Sequence, residues 1–406
     1  MDSNCLNRAN IRGCMKSLRD TKLKGKRVLM RVDFNVPIKD GEITDDTRIR
    51  AALPSINYIL EHSGKLILIS HLGRPKGEIV PSMSLKPVAQ KLSEILGRPV
   101  KFMPNSIGKE IEDTSNSMNE GDVMLLENTR FHPEEKKNDE SYAKQLAKLG
   151  DVYVNDAFGS AHRAHASVEG IAHYFELKAP GFLMEKEIEH LSQLLESPKK
   201  PFITLLGGAK ISGKIDVIYN LLPRVDKLLL GGGMVFTFFK AKGYEIGSSL
   251  VEEDKVSMAK ELLEKGKEKL MLPIDIVIGD KFDNNAKKDE VPADSIPPGW
   301  IGLDIGPKAE EQYANIISGA NTIFWNGPMG VFEFENFAFC TKRFAKQLAE
   351  QTERGAITVI GGGDTITAMS KFGYADKVTY ISTGGGASLE FLAGKELPGI
   401  KALKVL

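Results

Sequence analysis

The sequence predicts an α/β protein made of two doubly wound, Rossmann-like parallel-sheet domains joined by an interdomain helix. Three observations predict it. The chain has 406 residues, more than the roughly 250–300 that one hydrophobic core usually serves. Short, continuous apolar runs alternate with helix-length segments along its length, the pattern of parallel strands covered by helices on both faces. A mid-chain amphipathic stretch closed by proline separates two halves whose turns are built from different residues.

In the first half the strand-like runs are 27–32, 65–70, 123–126 and 152–154; in the second they are 202–206, 227–230, 323–325, 356–360 and 378–381. Each ends in a polar or glycine-rich turn. Between the halves, 185–197 sets Ile188, Leu191 and Leu195 on one helical face before Pro198, which predicts the connecting helix. A first domain is expected over 1–184 and a second from 185 onward. Segments 252–269 and 341–353 read as amphipathic surface helices with solvated charge runs.

Lys+Arg and Asp+Glu are equal at 54 each, so no global field favours a nucleic-acid or membrane partner. No window reaches the ~18 consecutive apolar residues of a membrane helix. Cys5, Cys14 and Cys340 show no paired spacing, which suits a reduced intracellular protein better than a disulfide framework. Residues 3–19 are basic but lack the apolar stretch of a secretory leader. Met15 opens the segment Lys16-Ser17-Leu18-Arg19-Asp20, and the first fourteen residues are expected to be a dispensable extension.

Ligands of open α/β sheets bind beyond the carboxyl ends of the strands, and there the halves diverge. First-half turns carry Asp33-Phe34-Asn35, His71-Leu72-Gly73-Arg74, Arg130 and Arg163, with Arg48 on a further connection. Guanidinium forks reaching in from several directions suit a small ligand with several anionic groups. His71, His162 and His165 lie within this set, the last two as candidates for ordering the loop; His62, His132 and His173 read as surface or core residues. Second-half turns carry Gly207-Gly208-Ala209-Lys210, Gly231–Gly233, Gly361-Gly362-Gly363-Asp364-Thr365 and Gly384-Gly385-Gly386. Bare backbone at helix N-termini suits nucleotide phosphates.

The stretch 208–215 matches a P-loop except that Ile215 replaces the Ser/Thr whose hydroxyl holds Mg²⁺, so it reads as a nucleotide-facing turn with two lysines, Lys210 and Lys214. A nicotinamide-linked dehydrogenase would need a GxGxxG turn followed by an acidic residue, and the sequence has none in a first βαβ unit. A nucleotide sensor without turnover is the other alternative, and the intact Arg48, Lys210 and Asp364 favour catalysis.

The motifs RVDFNVP (31–37), SHLGRP (70–75), LENTRFHPEE (126–135), NDAFGSAHRAHAS (155–167), LGGAK (206–210), WNGPMGVFE (325–333), GGGDT (361–365) and STGGGAS (382–388) follow one another in this order. In these the chain resembles the phosphoglycerate kinases, from about Leu23 onward. The resemblance implies reversible phosphoryl transfer between ATP and the carboxylate of 3-phosphoglycerate, with Mg²⁺, by a cytoplasmic monomer. It implies that Asp33, Phe34, Asn35, Arg48, His71, Leu72, Gly73, Arg74, Arg130 and Arg163 bind phosphoglycerate. Lys210, Lys214, Gly302, Glu333, Gly362, Gly363, Asp364 and Thr365 would bind ATP or ADP, with Asp364 on the metal. Arg48, Lys210, Gly363 and Gly386 would form the catalytic set. A segment near 394–406 would return to the first domain, so that the second closes at 393, and ligand-driven closure about a hinge near 185–201 is expected. One position departs from the family: Gly213 stands where most members have Asp.

Overall fold

The computed structural model describes residues 15–404. Cys5, Cys14, most of the basic segment 3–19 and the expected extension 1–14 lie outside the described residues. The chain divides into two compact units, one reaching to Glu189 and taking in the segment from Glu396, the other His190–Lys395.

The first unit is built on six parallel strands: β1 (Arg27–Arg31), β2 (Lys65–Ile69), β3 (Val100–Met103), β4 (Val123–Leu126), β5 (Val152–Asn155) and β6 (Lys178–Pro180). Their order is β3-β4-β2-β1-β5-β6. Alternation along β1 shows why both faces are apolar. Val28 and Met30 join a core with Ile49, Ile56 and Val88, from the helices Thr47–Glu61 and Lys86–Leu96. Leu29 faces the other way, onto a core with Tyr142 and Leu146 of the helix Glu140–Ala147 and with Ala402 and Leu403 of the returning segment.

The second unit repeats the plan with β7 (Phe202–Leu206), β8 (Lys227–Leu230), β9 (Leu270–Met271), β10 (Thr322–Asn326), β11 (Ile357–Gly361) and β12 (Tyr380–Ile381). These pair in parallel in the order β9-β8-β7-β10-β11-β12. Beside them lies an antiparallel sheet of Lys288–Pro292, Asp275–Gly279 and Ile301–Ile305.

Both main sheets have a topological switch point. Beyond β1 the chain proceeds toward β2 on one side, and beyond β5 toward β6 on the other; β7 and β10 repeat this divergence. Crevices form where successive connections part in this way. The turns after β1 and β5, and after β7 and β10, are therefore the places the fold prepares for ligands.

The connecting helix spans Phe182–Glu196, beginning three residues before the expected 185. Phe182, Leu183 and Met184 supply no side-chain cap, and the N–H groups of the first turn, which have no partner within the helix, find acceptors elsewhere in the first unit. Ser55 Oγ accepts from Phe182 N–H at 2.8 Å, and Asp156 Oδ1 accepts from Leu183 and Met184 at 2.8 and 3.0 Å. Burial raises the Asp156 carboxyl to about 6. The buried stripe runs through Met184, Ile188, Leu191 and Leu194, so Leu194 rather than Leu195 completes it. Cys340 is buried. Among the described residues, no helix is long and apolar enough to cross a membrane.

Candidate active-site loops

At the first switch point, hydrogen bonds tie the predicted residues into one structure. Asp33, two residues beyond β1, accepts from Arg48 Nη1 at 2.7 Å and from the Asn35 backbone at 3.3 Å. Asn35 Oδ1 accepts from Gly73 N–H at 2.8 Å, and Arg130 Nη1 donates to the Gly73 carbonyl at 2.7 Å. Asn128 clamps Leu72 at both backbone groups. Phe34 and Leu72 have buried side chains and offer only backbone at this site. Arg74 is exposed on the same turn.

Charge concentrates around His71. Burial, then Arg31, Arg130, Arg163 and Arg48, hold its imidazole well below the usual histidine range. Burial and the neighbouring Arg163 and Arg31 lower Arg130 itself to about 10, against the pull of Glu135 and Asp33. Four guanidiniums thus converge on a neutral ring with two carboxylates among them. His165 is also kept neutral, brought down to about 3 by burial and by the field of Arg130. The His165 backbone N–H donates to the Arg163 carbonyl at 2.9 Å, and Arg163 Nε donates to His162 Nε2 at 3.1 Å. These two histidines shape the loop that carries Arg163.

At the second switch point a cavity of about 250 Å³ is walled by the turns after β7, β8 and β10, by Phe236 and Gly302, and by Glu333 and Asp364. Glycine is required here by close approach. A Cβ on Gly207 would overlap the Pro328 and Gly327 carbonyl oxygens, and one on Gly302 would overlap the Phe236 ring. Lys214 does not line the cavity. It is buried beneath it, donating to the Gly207 carbonyl and, at 2.9 Å, to that of Asn326, and so joins the two diverging connections. Burial lowers its ammonium to about 7, with Asp364 pulling the other way. Thr365 is also buried, its hydroxyl accepting from Gly327 N–H at 2.6 Å. Gly362 and Gly363 lead into the helix Gly363–Lys371, whose first turn bears Asp364. Gly386 opens a separate helix, Gly386–Leu392, and is not part of the cavity wall.

Three residues of these loops escaped the sequence reading. Arg31 is wholly buried; a charge inside an apolar strand run was its only signal. Asn326 ends β10 with a buried, unpartnered Nδ2 close to where a Cβ of Gly361 or Gly362 would lie. Glu252 Oε2 accepts from the backbone of Ile211 at 2.7 Å and of Ser212 at 3.1 Å, fixing the turn just past the exposed Lys210.

Gly213, on the same turn, has no positive φ, and a Cβ there would meet nothing within 4 Å. Gly213→Asp should therefore keep activity within a few-fold, whereas Gly207→Ala should lower the melting temperature and nucleotide affinity together, as overpacking against backbone does. Steady-state kinetics and thermal melts of the two variants check this pair. A large loss in Gly213→Asp would refute the open geometry.

A doubly wound protein with clustered guanidiniums on one unit and a glycine-lined cavity on the other has the equipment of a nucleotide-dependent phosphotransferase. The sequence model described as "Phosphoglycerate kinase" matches residues 18–395. A phosphoglycerate kinase of Thermosipho africanus is 57% identical over 391 residues, covering 95% of this chain and 97% of its own. A cytosolic one of Nicotiana tabacum is 56% identical over 391 residues, with the same coverages of 95% and 97%. The solved phosphoglycerate kinase of Coxiella burnetii superposes with a TM-score of 0.87 at 42% identity, covering 96% of this chain and 98% of that one. The chain belongs to the phosphoglycerate kinase family.

Proposed function

We propose that the first unit holds 3-phosphoglycerate, that the second holds ATP or ADP with Mg²⁺, and that the phosphoryl group passes reversibly between the nucleotide and the phosphoglycerate carboxylate. The observation that carries this reading is the convergence of Arg31, Arg48, Arg130 and Arg163 on a neutral His71. In phosphoryl transfer the protein's work is positioning and charge neutralisation. The acceptor carboxylate is ionised at pH 7 from its reference pKa of ~4, so no general base is called for. Asp33 and Asn35 aim Arg48 and the Gly73 turn, while Arg130 and Arg163 balance the phosphate.

In the second unit, the backbone turns at Gly208, Gly232 and Pro328 would cradle the nucleotide, with the base against Phe236 and Gly302. Among the described residues no cluster of three or more His, Cys, Asp or Glu could hold a metal, and the exposed carboxylates on the cavity wall are those of Asp364 and Glu333. That donor set fits Mg²⁺, which keeps its waters and leans on substrate phosphates rather than on a protein cage. When bound it would neutralise phosphate charge. A cytosolic setting and a single-chain enzyme accord with the cytosolic relative and with two sites each complete within one unit.

A coupled assay of the purified chain with ATP, Mg²⁺ and 3-phosphoglycerate tests the proposal, and absence of turnover would sink it. Lys214 adds a pH signature. Its ammonium is depressed to about 7 without nucleotide, and phosphate charge favours the protonated form. ATP binding just above neutrality should therefore take up protons, and affinity should weaken as pH rises through that value. Calorimetry in two buffers of different ionisation enthalpy measures the uptake. Lys214→Met should abolish it.

A further inference from the structure

Arg31 ends β1 with its side chain wholly buried, and neither the fold nor the assigned binding roles account for a charge there. Its guanidinium is clamped. Nε donates to Ser167 Oγ at 2.9 Å, and Nη1 donates to the Val32 carbonyl. Ser167 passes the clamp on, donating from Oγ to Glu135 Oε1 at 2.6 Å and from its backbone to Oε2 at 2.9 Å. Glu135 is itself wholly buried. The remaining arm, Nη2, lies 3.0 Å from His71 Nδ1.

That last contact has only one possible sense. A guanidinium carries five N–H donors and no acceptor, so Nδ1 of His71 must accept. A ring nitrogen whose lone pair is engaged in this way carries no proton, and the one proton of the neutral ring then sits on Nε2. We infer that Arg31 is a positioning residue that fixes His71 as the neutral Nε2–H tautomer, so that the phosphoglycerate site presents an uncharged hydrogen-bond donor at this point. The inference rests on the reading that the first unit holds phosphoglycerate.

The tautomer matters because the ring's two nitrogens act oppositely toward an anion. With the proton on Nε2 the ring attracts a ligand oxygen. With the proton on Nδ1 it would set donor against donor at Arg31 and offer a lone pair to the ligand. A second proton is opposed from every side: Arg31 acts from β1, Arg130 from the turn after β4, Arg163 from the loop after β5 and Arg48 from the helix Thr47–Glu61. Glu135 and Ser167 hold the guanidinium so that it cannot swing from the imidazole to the ligand.

The test starts with the unliganded full chain, labelled with ¹⁵N-histidine and examined by long-range ¹H–¹⁵N correlation, with the His71 signals identified by their loss in His71→Gln. The Nε2–H pattern should persist without titrating between about pH 5 and pH 8, where an ordinary histidine changes charge. An Nδ1–H pattern, a doubly protonated ring or a midpoint within that range would overturn the inference. Arg31→Lys keeps the charge but shortens the reach. It should release the tautomer and raise the KM for 3-phosphoglycerate about tenfold, leaving the KM for ATP unchanged. An unaltered His71 spectrum in this variant would equally overturn it, as would a parallel rise in both KM values. Ser167→Ala, which removes one arm of the clamp, should move the spectrum the same way and serves if Arg31→Lys does not fold. The two readings fail separately: a locked tautomer in a chain without turnover would remove the proposed reaction alone, and turnover with a freely exchanging tautomer would remove the lock alone.

Discussion

Arg48→Ala is expected to lower turnover about 10²–10³-fold, the usual loss on removing one preorganised charged donor, with the fold intact. Arg48 pairs with Asp33, and its side chain is 37% exposed. So open an ion pair contributes about 0–1 kcal/mol to stability, and the melting temperature should scarcely move. Catalysis differs, because Asp33 takes up one N–H of the fork and a guanidinium has five to offer. Arg48→Lys should recover only part of the rate, since an ammonium keeps the charge and loses the planar fork. Steady-state turnover measured beside a thermal melt decides the matter. Wild-type turnover in Arg48→Ala would remove the residue from the reaction.

Lys210→Ala should cut turnover more than it weakens ATP binding. The two lysines of the turn have different surroundings. Lys214 is buried and tied to backbone carbonyls, whereas Lys210 is exposed on a turn held in place by Glu252. Losing Nζ of Lys210 therefore disturbs no packing. An interaction formed chiefly with the phosphoryl group in flight shows up in kcat and not in ground-state affinity. Turnover and a direct ATP titration on the same variant separate the two. A change confined to the KM for ATP would make Lys210 a binding residue only.

The long apolar strands were legible because burial on both faces leaves little freedom of composition: 123–126, 202–206 and 227–230 stand in the structure with the ends read from sequence. Edge strands were not. Lys178–Pro180 is three residues ending in proline, which a sheet tolerates at its margin, and Val100–Met103 carries an exposed Lys101. The strand Lys288–Pro292 is mostly charged and exposed, so it gave no apolar run at all. The start of the connecting helix was missed because its cap, Asp156, lies 27 and 28 residues in sequence from the N–H groups it accepts from. Among the functional candidates, residues just after strands were singled out by position and chemistry, whether exposed like Arg74 or buried like Arg130. What escaped was the support behind them, Arg31, Asn326 and Glu252, whose roles depend on neighbours that only folding brings close.

The segment from Glu396 bears on how this protein is made. Gly399 N–H donates to the Ala161 carbonyl at 2.8 Å, and a Cβ on Gly399 would come within 2.8 Å of Val168 and 3.0 Å of Ala161. Leu403 fills the core beneath Tyr153 and Ala166. The loop bearing Arg163 is thus shored up by residues that leave the ribosome more than two hundred positions after it. During synthesis the second unit has all its strands before the first has its last packing element. The nascent chain should acquire nucleotide binding while its guanidinium loop still awaits support, and a stop codon just before 396 should cost the earlier-made unit its order and spare the later one.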